Sequence, residues 1–452
     1  MGSLWGLTKA AGLPAARVLA GAGQHVALRQ MDGATTLGMA LSSCRGRNVM
    51  IRAKGQLETA LALLELDGVA RRIVLCPPDL APEHLPALLE EAQVEIILTD
   101  AAGPVAAEPV PGHIRRGECG LPPLPGSQPA REQNTEWLLF TSGTTGRPKM
   151  VVHDLASLVG PADDAAPTPG MAWSTFYDIR RYGGLQILLR ALRGGGSMVL
   201  SDGAESVGEF LGRASRAKVT HISGTPTHWR RVLMSPERRL FTPDYIRVSG
   251  EVADQAILDQ LRAAFPAARI VHAFASTEAG VAFDVDDGLA GFPAELIDGA
   301  ARRVRNGSLL IRSARTASRY TGEQALREED GFVDTGDMVE LRGDRYYFTG
   351  RREGLINVGG QKVHPEEVEA AINQHPAVRM SLVRGRASPI TGAVVVADVV
   401  LASGQRSAFG LIKDEIIARC RAILPAHKVP VHLREVPALD ISASGKLRRQ
   451  HA

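Results

Sequence analysis

The nine residues Thr141-Ser-Gly-Thr-Thr-Gly-Arg-Pro-Lys149 gather hydroxyls, two glycines and a lysine in one short stretch. Gly143 and Gly146 let backbone N–H groups approach a phosphate closely, and Thr141, Ser142, Thr144 and Thr145 add hydroxyl donors. Lys149 supplies a mobile positive charge for phosphate oxygens. The spacing is not that of a Walker loop, because Arg147 and Pro148 separate Gly146 from Lys149. A P-loop kinase or GTPase is thereby disfavoured, and a polar surface loop is the plain alternative. Lys446, taken alone, reads as a solvated lysine near the C-terminus.

A phosphate loop needs a rigid base. Glu136-Trp-Leu-Leu-Phe140 reads as a strand that runs straight into it. Upstream, strands are predicted at 48–52, 72–76 and 95–99, with helices at 56–67 and 82–91 between them. That alternation means parallel βαβ units. Residues 101–134 are rich in Pro and Gly and have no period, so a long loop is expected there. Downstream, strands are expected at 197–200, 218–223 and 269–272, and helices near 205–216, 227–234 and 254–264. From about 303 the pattern shifts to short strands and turns. A compact tail follows Gly350, with helices at 365–373 and 409–424. The expected fold is α/β: a large N-terminal body of parallel βαβ units with helices on both faces, plus a small α+β C-terminal domain.

Composition narrows the function classes. The chain has 452 residues, 44% hydrophobic and 22% charged, which suits a globular protein with a large core. Its charge sum is 52 − 49 = +3. No basic stripe with interleaved aromatics stands out, so nucleic acid is not an expected partner. No run of eighteen apolar residues occurs, so no membrane span is expected. Cys44, Cys76, Cys119 and Cys420 lie far apart, which fits a reducing compartment, and the expected location is cytoplasmic. Residues 1–31 carry Lys9, Arg17 and Arg29 and no acidic residue. They read as a modest N-terminal segment, with a transit peptide as the alternative.

The string F-T-S-G-T-T-G-R-P-K resembles the phosphate-binding signature of the adenylate-forming superfamily, which includes acyl-CoA and aryl-CoA ligases, luciferases and peptide-synthetase adenylation domains. Other motifs follow in the family's order. His272-Ala-Phe-Ala-Ser-Thr-Glu278 is similar to its N-x-Y-G-x-T-E. The resemblance implies that Phe274 stacks on adenine, that Ala275 and Ser276 line the same loop, that Thr277 contacts phosphate and that Glu278 binds magnesium. Ser249-Gly250-Glu251 resembles the segment lining the adenine and acid pockets. Asp334-Thr-Gly-Asp337 resembles T-G-D, with Asp337 on the ribose hydroxyls. Gly350-Arg351 looks like the hinge approach, with Arg351 on ribose or phosphate and the hinge near Glu353. Ser444-Gly-Lys446 resembles the C-terminal S-G-K, which makes Lys446 the adenylation lysine.

The resemblance implies domains at 1–350 and 351–452, the second a mobile lid, and two half-reactions. A small carboxylic acid attacks magnesium ATP to give an acyl-adenylate, and a thiol then takes the acyl group. Rotation of the lid would exchange Lys446 for the loop after the hinge, where Gly359 and Gly360 would let a pantetheine arm pass. The expected cofactors and partners are ATP, Mg2+ and coenzyme A, or a carrier-protein phosphopantetheine in place of coenzyme A. The first 130 or so residues match the family less well. A catalytically silent nucleotide-binding homologue is the reading from another class.

The acid pocket is expected from 173–186, 221–229 and 249–277. A gap-free count puts Arg180 where many acyl-CoA ligases carry a histidine, and Tyr182 where amino-acid-activating members carry an aspartate. Tyr177, Arg180, Arg181, Tyr182, His221 and Gly250 are the substrate candidates. The alternative for both arginines is pairing with local carboxylates. An aromatic or short polar acid is preferred over a long fatty acid.

Overall fold

The computed structural model describes residues 2–100, 111–141, 148–160, 170–322, 325–389, 391–402, 409–442 and 445–449. The phosphate-loop residues Ser142, Gly143, Thr144, Thr145 and Gly146 lie outside the described residues.

Two eight-stranded sheets form the body. In the first, the strands Ser197–Leu200, Ala172–Thr175, His221–Gly224, Tyr245–Ser249 and Arg269–Ser276 run parallel, and Gly280–Val285 returns antiparallel at one edge. In the second, Ile96–Thr99, Asn48–Ile51, Arg72–Leu75 and Glu136–Thr141 run parallel, and Lys149–His153 pairs back antiparallel. The helices Gln56–Leu66 and Tyr182–Arg193 share one apolar core with strands of both sheets. Gln56–Leu66 is buried on nearly every side, which is why leucine and alanine fill it all round rather than in a stripe.

A five-stranded antiparallel sheet follows, built from Phe292–Pro293, Arg345–Arg351, Val333–Arg342, Ser308–Ile311 and Arg302–Arg305. A last sheet, 356–435, carries the helices Pro365–Asn373 and Phe409–Ile423 on a core of its own, with Gly392–Leu401 at its centre and Val378–Ser388 paired along it at one edge. Between these two sheets the chain makes one tight turn, Arg352–Gly354. Arg352 is tied there to Asp334 at 2.8 Å.

Two expectations change. The segment 101–134 is not all loop, because Arg115–Pro125 is an eleven-residue strand. It lies between Ile96–Thr99, parallel, and Ala34–Leu37, antiparallel with a register shift. It is mostly exposed and buries only Cys119 deeply, so no apolar alternation marks it, and its prolines fall where the pairing is irregular. Residues 4–31 are built into the body. The Leu4 N–H donates to Asp67, Val18–Ala20 joins the first sheet beside Ser197–Leu200, and buried Arg17 donates to the carbonyls of Thr8 and Gly196 at 2.8 and 3.1 Å. Among the described residues, no helix is long and apolar enough to cross a membrane.

Candidate active site

Parallel α/β sheets present ligand-binding groups at the C-terminal ends of their strands. In the first sheet those ends deliver Phe176 and Tyr177, Thr225, Gly250 and Glu251, and the turn carrying Thr277 and Glu278. His221 starts its strand and so lies at the opposite end, stacked between Trp173 and Tyr245. It is a packing residue, not a pocket residue.

One corner at the C-terminal end of this sheet, where the sequence places the acid pocket, is aromatic. Phe176 stacks on His228 at 5.2 Å between centroids and meets Trp229 edge-on at 5.9 Å. The Tyr177 hydroxyl donates to the Ser249 carbonyl at 2.6 Å, and complete burial pushes that phenol's pKa up. His228 is buried and held neutral, its pKa lowered to about 3 by desolvation. Thr225 caps the helix Pro226–Met234 by accepting from the His228 N–H at 3.0 Å.

Three expected acid contacts have other partners. Arg180 donates to Asp178 at 2.7 Å and to the Lys54 carbonyl at 3.0 Å, and also binds the Ala53 carbonyl. Arg181 pairs with Asp79. Tyr182 is buried in the core beside His153. The chain turns at 178–181, where Asp178 binds Arg180 and the Ile179 N–H donates to Gln56 at 2.8 Å, so these side chains are spent on the architecture.

The corner expected to hold the nucleotide forms where the sheets meet and carries the carboxylates of Glu278 and Asp337. The carbonyl of Thr277 takes a 2.7 Å hydrogen bond from His153, and the carbonyl of Glu278 takes one at 2.9 Å from the Ala317 N–H. The Ser276 hydroxyl accepts from the Ala279 N–H at 3.0 Å and closes the turn. Burial raises the Glu278 carboxyl above its ordinary range, against the pull of Arg351 and Lys149. Asp337 is raised by the same cause, with Arg351 at 3.1 Å and Lys446 pulling the other way. Lys149 lies over the Tyr320 ring at 5.6 Å. Phe274 stacks at 5.0 Å on Phe348, with Ala275 next to it on the strand. Thr141 ends the strand that enters the loop.

The tail from the small domain enters between the two corners. The Thr225 hydroxyl donates to the Gly445 carbonyl at 2.8 Å. Glu251 accepts from the Leu447 N–H at 3.1 Å and from the Thr227 N–H at 3.0 Å. These bonds bracket Lys446, whose Cε lies 3.5 Å from where a Cβ on Gly250 would stand. Desolvation lowers the Lys446 pKa, opposed first by Glu251 and then by Asp337. Gly445 has φ of +73°, and any side chain there would fall inside the His228 ring. Sequence reasoning missed the contact of Thr225 and His228 with Gly445. The one readable signal was Thr225-Pro226, the start signature of a helix. Gly359 and Gly360, at φ of +59° and +85°, form an exposed hairpin tip away from this cluster.

No cluster of three or more metal-ligating side chains occurs among the described residues. A lone buried carboxylate such as Glu278 fits Mg2+, which keeps most of its waters and binds phosphate oxygens alongside one or two carboxylates.

These features are those of a large α/β body on which the tail of a small C-terminal domain is seated. The sequence model described as AMP-binding enzyme matches residues 34–320, and that described as AMP-binding enzyme C-terminal domain matches 367–446. The chain belongs to the AMP-binding enzyme family. It is 29% identical over 340 residues to a 2-succinylbenzoate–CoA ligase of Bacillus velezensis, covering 70% of this chain and 68% of that one. It is 27% identical over 435 residues to an isonitrile lipopeptide synthase of Streptomyces coeruleorubidus, covering 86% of this chain but only 29% of that protein's length. Its fold matches that of an anthranilate CoA ligase in complex with anthranoyl-AMP, with a TM-score of 0.81, 19% identity, and 99% and 95% of the two chains covered.

Proposed function

We propose that this protein is an AMP-forming acid–thiol ligase. It activates a small carboxylic acid with ATP and passes the acyl group to the thiol of coenzyme A. One observation carries the reading: Lys446 of the small domain stands at Gly250, bracketed by main-chain bonds on both sides, between an aromatic corner and a carboxylate corner. Joining two anions requires a positive charge between them and fixed geometry. Lys446 fills that place, and its lowered pKa reflects a site largely closed to water.

The roles divide by corner. Lys149, Thr141, the loop 142–146 and Thr277 hold phosphates. Asp337 and Arg351 hold the ribose side, and Phe274 with Ala275 and Ser276 lines the base. Glu278 would hold Mg2+, which when bound supplies charge stabilisation on the phosphate oxygens. Glu251 clamps the tail so that Lys446 stays in place. Phe176, Tyr177, His228 and Gly250 line the acid pocket, and its aromatic wall supports an aryl acid. The relatives named for 2-succinylbenzoate and anthranilate point the same way.

The exposed Gly359–Gly360 hairpin supports a second lid position for thiol transfer. A carrier-protein thiol is the second reading of the acceptor, favoured by the 86% coverage of this chain by the lipopeptide synthase. The test is ATP–pyrophosphate exchange without thiol against aromatic, short-chain, dicarboxylic, fatty and amino acids. Exchange restricted to aryl acids is expected, and addition of coenzyme A or a carrier protein then names the acceptor. ATP binding with no exchange for any acid would sink the proposal.

A further inference from the structure

A second unbalanced charge cluster lies behind the Glu278 turn. The last turn of the helix Tyr182–Arg193 places Arg190 and Arg193 beside Arg315, around a cavity of about 50 Å3 that Gln186 also lines. Arg193 donates to the Val159 carbonyl at 3.3 Å. Arg190 and Arg315 make no side-chain hydrogen bond or contact ion pair among the described residues. The nearby carboxylate, Asp284, is held by Arg247 through two 2.6 Å bonds. Three guanidiniums, Arg190, Arg247 and Arg315, therefore face one carboxylate that is already engaged. Burial and then Arg247 lower the pKa of Arg190, with Asp284 only partly offsetting them.

Removing one partner of a buried ion pair is costly because it leaves a charge uncompensated. Here the sequence keeps two partly buried guanidiniums, Arg190 and Arg315, side by side around the cavity. It also keeps glycine at 160, where a side chain would run into the Arg315 guanidinium. A neutral ligand would not offset the charge, and the cavity is too small for a nucleotide. Guanidinium forks suit tetrahedral oxyanions through paired N–H···O bonds.

We propose that this cavity binds a phosphate-sized dianion between Arg190 and Arg315. The ligand is inorganic phosphate or the terminal phosphate of a small monoester. The site is separate from the nucleotide corner but joined to it. Arg315 packs against Gly280, and two residues further on Ala317 holds the Glu278 carbonyl.

The test titrates the full chain with inorganic phosphate by calorimetry and thermal melting, with the nucleotide site filled by 5′-O-sulfamoyladenosine, which has no phosphate. One phosphate per chain and a raised melting temperature are expected. Arg190→Gln and Arg315→Gln should each weaken binding by about tenfold or more, while Arg303→Gln, on a distant exposed pair, should not. If Arg190→Gln fails to fold, Arg190→Lys keeps the charge but loses the fork and should still weaken binding measurably. Glycerol 3-phosphate in place of phosphate separates the two sources, since tighter binding of either supports the site. Absence of binding to the unmodified chain, or binding unchanged in Arg315→Gln and Arg190→Lys, overturns the proposal.

Discussion

Arg180 and Lys446 are both cations drawn out of water, and they are held in opposite ways. Arg180 has its guanidinium committed to Asp178 and to the carbonyls of Ala53 and Lys54. Lys446 is fixed by its main chain and by the residues before and after it, and among the described residues its ammonium faces Glu251 and Asp337 without a contact pair. The first arrangement is complete without a ligand. The second, under the proposed function, is completed by the two anions that Lys446 joins. A buried charge with its partners in hand belongs to the architecture, and one without them marks a place where chemistry is awaited. Arg190 and Arg315 fall with Lys446 in this division.

Substitutions can break the contrast. Arg180→Met should have the largest effect, and on stability: about 3–5 kcal/mol, because partly buried Asp178 loses its guanidinium and keeps only the main-chain N–H of residue 180. Denaturant unfolding reads that loss, and kcat per folded molecule should hold. A raised KM for the acid with unchanged stability would instead make Arg180 a substrate contact. Lys446→Ala should leave stability nearly intact and slow pyrophosphate exchange roughly 100- to 1000-fold, about 3–4 kcal/mol in the transition state.

Gly445→Ala should come next. The methyl group meets the His228 ring at a backbone angle that disfavours a side chain, and overpacking of this kind costs about 1–3 kcal/mol. Exchange should fall roughly 10- to 100-fold by that amount. Adding His228→Ala should recover part of it, and failure to recover would show that the tail does not seat against His228.

Glu251→Gln should have the smallest effect on rate, about tenfold, since its one amide oxygen can keep only one of the two main-chain bonds, from the Leu447 or the Thr227 N–H, and its NH2 cannot accept the other. Its clearer signature is in pH. Lys446 already has a pKa below the ordinary lysine range, and Glu251 is the largest influence raising it. Removing that charge lowers the pKa further, so the alkaline limb of exchange should move to lower pH. A limb that stays in place would show that Lys446 does not titrate against Glu251.

Much of the frame was legible because its signals are local. The strands 48–51, 72–75 and 96–99 and the helices between them follow from apolar runs and short joins. Arg115–Pro125 escaped because an exposed strand paired on both edges carries no burial pattern. The site divided along the same line. Thr277, Glu278, Asp337, Arg351 and Lys446 stand in contiguous motifs with a readable order. The acid corner is assembled from side chains more than seventy residues apart, such as Tyr177 with Ser249, and of Thr225 with Gly445. Spacing along the chain holds no information about such meetings, so the gap-free count led to Arg180 and Tyr182. His221 was misjudged by direction alone, because its strand enters the sheet there and reaches the site only at Gly224.

The most direct measurement takes one preparation of Lys446→Ala and times both half-reactions. These are pyrophosphate exchange with the preferred acid, and thioester formation from supplied acyl-adenylate and coenzyme A. The proposed function, with its two lid positions, predicts that exchange collapses while thioester formation persists near the rate of the unmodified chain, because the lysine serves only the arrangement in which Glu251 clamps the tail. Equal loss of both would contradict it, and would mean that Lys446 holds the site together rather than serving one of its two states.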